Sequence, residues 1–173
     1  MVQFDITKDK LDYDFGYNAN ETNDIKDLFS EIRDNKTLTI NDLRRVSLWK
    51  IDRVLEISDE LIQRLDSLAK NKSPNIYDDS VKEIITDLTN SNGIGFPMAS
   101  AILKFLRPDI FPIIDIRAYR AIFGKKLYYS QYTIDVYYNY VKEIYSISDK
   151  LKLPLDKIDE QLYEFDKKHN GKI

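Results

Sequence analysis

The stretch SNGIGFPMASAILKFLRPDIFPIIDIRAYR, residues 91–120 of the 173-residue chain, contains two closely spaced glycines between two apolar segments. The apolar residues on either side of Gly93 and Gly95 recur at helical spacing, which predicts two helices joined by a tight turn. Two prolines then forbid a helix and predict an extended segment. Asp115 ends that segment and precedes new helical spacing, so we predict that it caps a third helix.

A Gly-x-Gly turn can point backbone N–H groups at a phosphate, and the helix that follows adds the positive end of its dipole. Residues 78–106 therefore form a predicted helix-hairpin-helix that binds a DNA phosphate through Gly93 and Gly95. No strand precedes the turn and the third glycine is missing, so this is not a dinucleotide-binding motif. The alternative is that the glycine turn only connects two helices.

Charge is unevenly distributed along the chain. The net charge is −3, yet residues 99–126 hold six basic against two acidic residues. A local basic patch on an acidic protein suits a small DNA footprint, although a solvated helix face gives the same pattern. The predicted phosphate contacts of this stretch are Phe96, Lys104 and Arg117, and Arg117 can alternatively pair with the Asp115 carboxylate.

The whole chain is predicted to be all-α, because helical spacing recurs and Gly and Pro are few, five of each. Its length favours a single domain. Residues 1–24 are polar and aromatic without clear periodicity and are predicted to form an N-terminal arm. Thr39 and Asp42 predict a capping box. The predicted helices are 24–34, a helix after Thr39, 58–70, one after Asp78 or Asp79, 98–106, 116–124, 133–147 and a last one from about Pro154.

Several functional classes are excluded by composition. The chain has no cysteine, which excludes disulfides and an iron–sulfur cluster held by cysteines. Its one histidine, His169, lies in a polar segment, so we expect neither a metal site nor another cofactor. No apolar run reaches the roughly 20 residues of a membrane span. The first residues, MVQFDITKDK, lack the apolar stretch of a signal peptide, and we expect a cytoplasmic protein that does not bind membranes.

The residues NGIGFPMASAILKF and then FPIIDIRAYRAIFG resemble the signature of the helix-hairpin-helix (HhH-GPD) DNA glycosylase superfamily, over residues 80–124. Members of that superfamily are two-lobed helical bundles. They flip a base out of duplex DNA into the cleft between the lobes and cut its N-glycosidic bond. The resemblance implies that residues 107–124 are the catalytic loop and helix, that Asp115 is the catalytic aspartate and that duplex DNA is the partner.

By this resemblance, Asp115 stabilises the positively charged sugar or activates a water molecule. We expect the helix N-terminus to fix its direction and to lower its pKa. Superfamily members that form a Schiff base carry lysine at the position of Pro97, so hydrolysis without strand cleavage is predicted. Lys50 or Lys104 can replace that lysine only if the fold brings it to the cleft. The alternative is that Asp115 is a plain N-cap.

A flipped base also needs an aromatic or apolar pocket and a wedge. The predicted candidates are Trp49, Lys50 and Tyr119, together with Phe96 and the tyrosines of residues 128–140. The alternative for Trp49 is core packing, as it is for the tyrosines of residues 128–140. Two other functions stay open. One is a DNA-binding protein of the same fold that has lost catalysis, and the other is a helical protein-interaction module without a nucleic-acid role.

Overall fold

A computed structural model describes residues 19–51 and 53–173, which are helical apart from turns, extended connections and one isolated bridge. The all-α prediction is therefore confirmed for this part of the chain. The chain divides into two compact units, residues 1–54 and 55–173. The helices are α1 (Ala19–Asp34), α2 (Ile40–Lys50), α3 (Asp59–Lys70), α4 (Asp79–Asn90), α5 (Phe96–Leu106), α6 (Ile116–Phe123), α7 (Ile134–Leu151) and α8 (Leu155–His169).

In the first unit, α1 and α2 pack against each other through polar contacts. Arg45 forms a bidentate ion pair with Glu21, at 2.5 and 2.7 Å. The predicted capping box is present, since the Thr39 hydroxyl accepts from the Asp42 N–H and the Asp42 carboxylate accepts from the Thr39 N–H. Because α1 begins at Ala19, residues 19–24 belong to a helix rather than to the predicted arm. The rest of that arm, residues 1–18, lies outside the described residues.

The second unit contains the hydrophobic core. Each helix contributes one apolar stripe, as the 3.6-residue period predicts. On α4 the stripe is Val81, Ile84, Ile85 and Leu88, all buried. The helix α6 packs against α8, α7 packs against α8, and α4 lies against both α3 and α5. The buried tyrosines Tyr137 and Tyr140 belong to this core, as the packing alternative for the tyrosine run predicts.

The glycine turn joins α4 to α5 as predicted. Gly93 has φ 79°, a left-handed conformation that a side chain would strain. Gly95 is the N-cap of α5, and Pro97 lies in the first turn of that helix. The turn is also paired to the connection before α3, where the Glu56 N–H donates to the Asn92 carbonyl at 3.3 Å.

The remaining predicted boundaries agree within a few residues. Asp115 caps α6 and Gly124 follows its last residue, as predicted. Residues 108–110 form a turn, and only residues 111–115 are extended. The helix α2 ends at Lys50 and buries none of its side chains. Within the described residues, every helix is too short or too polar to cross a membrane.

Candidate active site

Asp115 uses one carboxylate oxygen for the fold and leaves the other available. Its Oδ1 accepts hydrogen bonds from the N–H groups of Arg117 and Ala118, both at 2.7 Å. These two bonds satisfy donors at the start of α6 and fix the carboxylate plane. No donor among the described residues reaches Oδ2. Capping and chemistry can therefore coexist on this side chain.

Burial raises the pKa of the Asp115 carboxyl above its usual value of 3.8, and the nearby Asp159 carboxylate adds to the increase. The two backbone N–H groups and Arg117 act in the opposite direction, yet they do not offset the loss of water. The expectation that the helix N-terminus lowers this pKa is therefore wrong, because the side chain is half-buried. A raised pKa makes Asp115 a better proton acceptor than an exposed aspartate.

Three tyrosines of α7 hold the carbonyl groups of the segment that leads to Asp115. Their hydroxyls donate to backbone oxygens at 2.8 to 3.0 Å, in the pairs Tyr145 to Ile110, Tyr137 to Pro112 and Tyr140 to Ile113. The segment has no neighbouring strand in the described structure, so its buried carbonyls need side-chain donors. The tyrosine stripe therefore packs the core and also positions the segment.

Side chains of α5 and α8 hold the N–H groups of the same segment. The Ile114 N–H donates to the Ser100 hydroxyl at 3.1 Å, and the Ile113 N–H donates to Asp159 Oδ2 at 2.7 Å. The other oxygen of Asp159 forms an ion pair with Lys104 Nζ at 2.7 Å, with both side chains buried. The route of the backbone up to Asp115 is thus determined by three surrounding helices.

A pocket of about 280 Å³ opens beside Asp115. Its size is near the lower end of the roughly 300–1,000 Å³ of small-molecule sites. The pocket is markedly acidic, because carboxylates from α8 join that of Asp115. Its lining residues are Ile113, Asp115, Asp159, Glu160, Tyr163 and Glu164.

The hairpin offers backbone donors to a ligand. Among the described residues, no acceptor is found for the N–H groups of Gly93, Gly95, Phe96 and Met98, and α5 has no side-chain cap. The Phe96 ring stacks on Tyr132, with centroids 6.4 Å apart. Burial, and secondarily the Asp115 carboxylate, raise the pKa of the Tyr132 hydroxyl above its usual value.

Most of the predicted basic patch is neutralised by ion pairs within the protein. Lys104 is buried, and its Nζ also donates to the Asp156 carbonyl at 2.8 Å and to Glu160 at 3.2 Å. It therefore holds α8 and is not available for the predicted phosphate contact. Arg107 pairs with Asp109 at 2.6 Å.

Arg117 and Arg120 both bind Asp166 of α8. Arg120 makes a bidentate pair with its carboxylate, with both distances 2.7 Å, and Arg117 Nη1 lies 3.2 Å from it. Arg117 therefore pairs with a carboxylate, but with that of Asp166 and not with that of Asp115. Its guanidinium is engaged in this ion pair, which competes with the predicted phosphate contact. Lys125 and Lys126 remain exposed, and neither forms an ion pair within the described residues.

Of the predicted pocket residues, Tyr119 lies in the second unit, and Trp49 and Lys50 lie in the first. Tyr119 is buried between Tyr140 and Phe123, at centroid distances of 6.4 and 4.4 Å, so its ring belongs to the core and does not line the pocket. Trp49 is half-buried in the first unit, where its Nε1 donates to the Thr22 hydroxyl at 2.9 Å. Lys50 is exposed at the end of α2.

Sequence reasoning missed the contribution of α8 to the site. Asp159 and Asp166 are seven residues apart, so they lie on one helix face, and both are buried. Ile158 and Leu162 are on the same apolar side. Two aspartates within an apolar stripe indicate buried ion pairs, and this signal was available in the sequence.

No cluster of His, Cys, Asp or Glu side chains in the described residues has the arrangement of a metal site. Comparison of the chain with protein-family models, curated proteins and solved structures gives no match.

Proposed function

We propose that this protein is a DNA glycosylase that hydrolyses the N-glycosidic bond of a damaged or modified base in duplex DNA. The observation that carries the proposal is that Asp115 lines a pocket while only its Oδ1 is used to cap α6. A plain N-cap needs neither the pocket nor the partial burial. Membership of the HhH-GPD superfamily and its two-lobed arrangement are part of the same proposal.

Electrostatics support this chemistry at the pocket. As the glycosidic bond breaks, its electron pair leaves with the base and positive charge develops on the sugar. The acidic lining stabilises that charge. Water then bonds to the sugar carbon and gives a proton to Asp115 Oδ2. The departing base takes a proton from solvent, and Asp115 later returns its proton to solvent. The products are a free base and an intact strand with an abasic site.

The same carboxylates repel phosphate, so other groups have to bind the DNA backbone. The hairpin provides it through the N–H groups of Gly93, Gly95 and Phe96, together with the dipole of α5. Pro97 stands where Schiff-base members of the superfamily have lysine, and this supports hydrolysis without strand cleavage.

The experiment is base release from a panel of DNA duplexes that contain normal, oxidised, deaminated, alkylated or naturally hypermodified bases. Free bases are read by mass spectrometry and abasic sites by alkaline cleavage. Asp115→Asn keeps an oxygen for the cap and removes the charge, so we expect it to abolish release while the fold persists. Asp78→Asn controls for the loss of one negative charge before a helix, because Asp78 precedes α4, is exposed and makes no side-chain cap hydrogen bond.

The second candidate is a DNA-binding protein without catalysis, supported by the hairpin donors alone. It predicts salt-sensitive DNA binding that Asp115→Asn leaves unchanged, with no base released from the panel. The third candidate, a protein-interaction module, is supported by the exposed apolar side chains of α2, among them Leu43 and Leu48. It predicts no DNA binding at low salt.

A further inference from the structure

The loop after α6, residues 124–131, carries two tyrosines whose rings are largely in solvent. Tyr128 is 64% and Tyr129 is 80% exposed. Exposed rings of this size contribute little to the core, and aromatic rings beside basic residues are the usual platform for stacking nucleobases. The neighbouring Lys125 and Lys126 are the two cations of residues 99–126 that have no carboxylate partner in the described structure.

Tyr129 lies directly on the hairpin. A Cβ atom built on Gly95 would be 3.1 Å from both Cε2 and the hydroxyl of the Tyr129 ring. The ring therefore meets the backbone of the turn with its edge, and its exposed area remains open to solvent. The φ of Gly95, −92°, is available to any residue, so a side chain at this position would conflict only with the Tyr129 ring, which would have to shift.

The loop presents the two rings on a fixed backbone. Leu127 is buried, and residues Tyr129–Gln131 form a short 3₁₀ helix. The Tyr128 N–H donates to the Gln131 side chain at 2.9 Å, and the Gln131 N–H donates to the Tyr128 carbonyl at 2.9 Å. Because the backbone that carries the rings is held in this way, less conformational freedom is lost when a base stacks on them.

We propose that Tyr129, with Tyr128, Lys125 and Lys126, forms a stacking platform for an unstacked nucleobase of the DNA strand whose phosphate is bound by the hairpin. The two lysines bind flanking phosphates, and Tyr129 contacts a base face. This inference rests on the proposed DNA-binding function of the hairpin, but it does not depend on catalysis by Asp115.

The test is fluorescence anisotropy with labelled DNA of three kinds: a fully paired duplex, a duplex with one bulged base and a single strand. Wild-type protein is expected to prefer the two DNAs with an unstacked base. Tyr129→Ala should weaken binding to them by roughly tenfold, as expected when one base–aromatic stack is lost. Tyr129→Phe keeps the ring face and should bind as wild type does.

Two controls separate the platform from general effects. Phe105→Ala removes a ring that is 86% exposed at the far end of α5, and it should leave affinity unchanged. The double variant Lys125→Ala, Lys126→Ala should have a shallower slope of log affinity against log salt concentration, as expected for the loss of about two phosphate contacts. The same charge change at the exposed Lys142 and Lys150 of α7 should have little effect.

Equal binding by Tyr129→Ala and wild type would overturn the platform, and so would equal loss in the Phe105→Ala control. Base release measured in parallel distinguishes this failure from failure of the glycosylase proposal. If base release is observed and Tyr129→Ala binds DNA as wild type does, the glycosylase proposal stands and the platform is overturned. If Tyr129→Ala binds DNA more weakly than wild type and no base is released by either protein, the platform stands and the glycosylase proposal is overturned. Absence of binding to all three DNAs overturns the platform.

Discussion

Asp159 and Ile113 are joined by a hydrogen bond of 2.7 Å from the Ile113 backbone N–H to the Asp159 carboxylate, across 46 positions of the sequence. The same carboxylate holds Lys104, so one side chain links α5, α8 and the segment that ends at Asp115. Its removal should affect both the ion pair and the position of the catalytic candidate.

We expect Asp159→Ala to lower the free energy of unfolding by on the order of 3 kcal/mol, because it leaves the Lys104 ammonium buried without a carboxylate partner. Chemical denaturation measures the change. Glu160→Ala is the control on the next residue of α8, since this half-exposed carboxylate also contacts Lys104 and should contribute less than about 1 kcal/mol. Equal losses in the two variants would contradict the role given to Asp159.

The tyrosine hydroxyls of α7 offer a matched comparison. Tyr140→Phe leaves the Ile113 carbonyl without its donor and should cost about 1–3 kcal/mol in the free energy of unfolding. The Tyr138 hydroxyl is buried and has no partner in the described structure, so Tyr138→Phe should be neutral or stabilising. Thermal denaturation of both variants is the measurement, and a larger loss for Tyr138→Phe would contradict the stabilising role given to the Tyr140 hydroxyl.

Asp115→Asn should be at least as stable as wild type at neutral pH, whereas Asp115→Ala should lose about 1 kcal/mol with the cap. The raised pKa means that the folded protein holds this proton more tightly than the unfolded chain does. The stability contributed by the group is therefore present below its ordinary pKa of 3.8 and is lost as the pH rises through the raised folded pKa.

The measurement is the free energy of unfolding of wild type and Asp115→Asn between pH 3 and pH 7. The advantage of the asparagine variant should grow as pH rises through that window. If wild type instead became more stable relative to Asp115→Asn as the pH rises, the assigned upward shift of the Asp115 pKa would be wrong.

Asp166 should show the opposite pH dependence. The Arg120 guanidinium, with help from Asn170 and Arg117, lowers the pKa of this buried carboxyl to about 2. Its contribution is present above the ordinary pKa of 3.8 and is lost as pH falls towards about 2. The difference in unfolding free energy between wild type and Asp166→Asn should therefore shrink across this acid range, as urea denaturation at successive pH values would reveal.

Features that depend on a few neighbouring residues were predictable from the sequence. The Thr39 capping box, the Asp115 cap and the buried stripe of α4 are each encoded within ten residues. The hairpin turn was predictable for the same reason, since Gly93 is needed for its positive φ.

The partners of the basic residues were not predictable in this way. Lys104 meets Asp159, and Arg120 meets Asp166, only after α8 packs against the rest of the unit. Counting charges along residues 99–126 treats these side chains as free, although their carboxylate partners are about 50 positions further along the chain. The burial that raises the pKa of Asp115 likewise arises only in the folded unit, and local sequence contains only the opposing effect of the helix N-terminus.

The extended segment before Asp115 has consequences for how such a site can diversify. Its backbone is secured by side chains of α5, α7 and α8, and not by a neighbouring strand. A substitution at Ser100 or Asp159 removes a support of this segment together with a second contact. Ser100 also donates to the Pro97 carbonyl inside α5, and Asp159 also holds Lys104. The position of the Asp115 carboxylate and the stability of the unit are thus linked, so a substitution that alters the first needs a compensating gain in stability elsewhere.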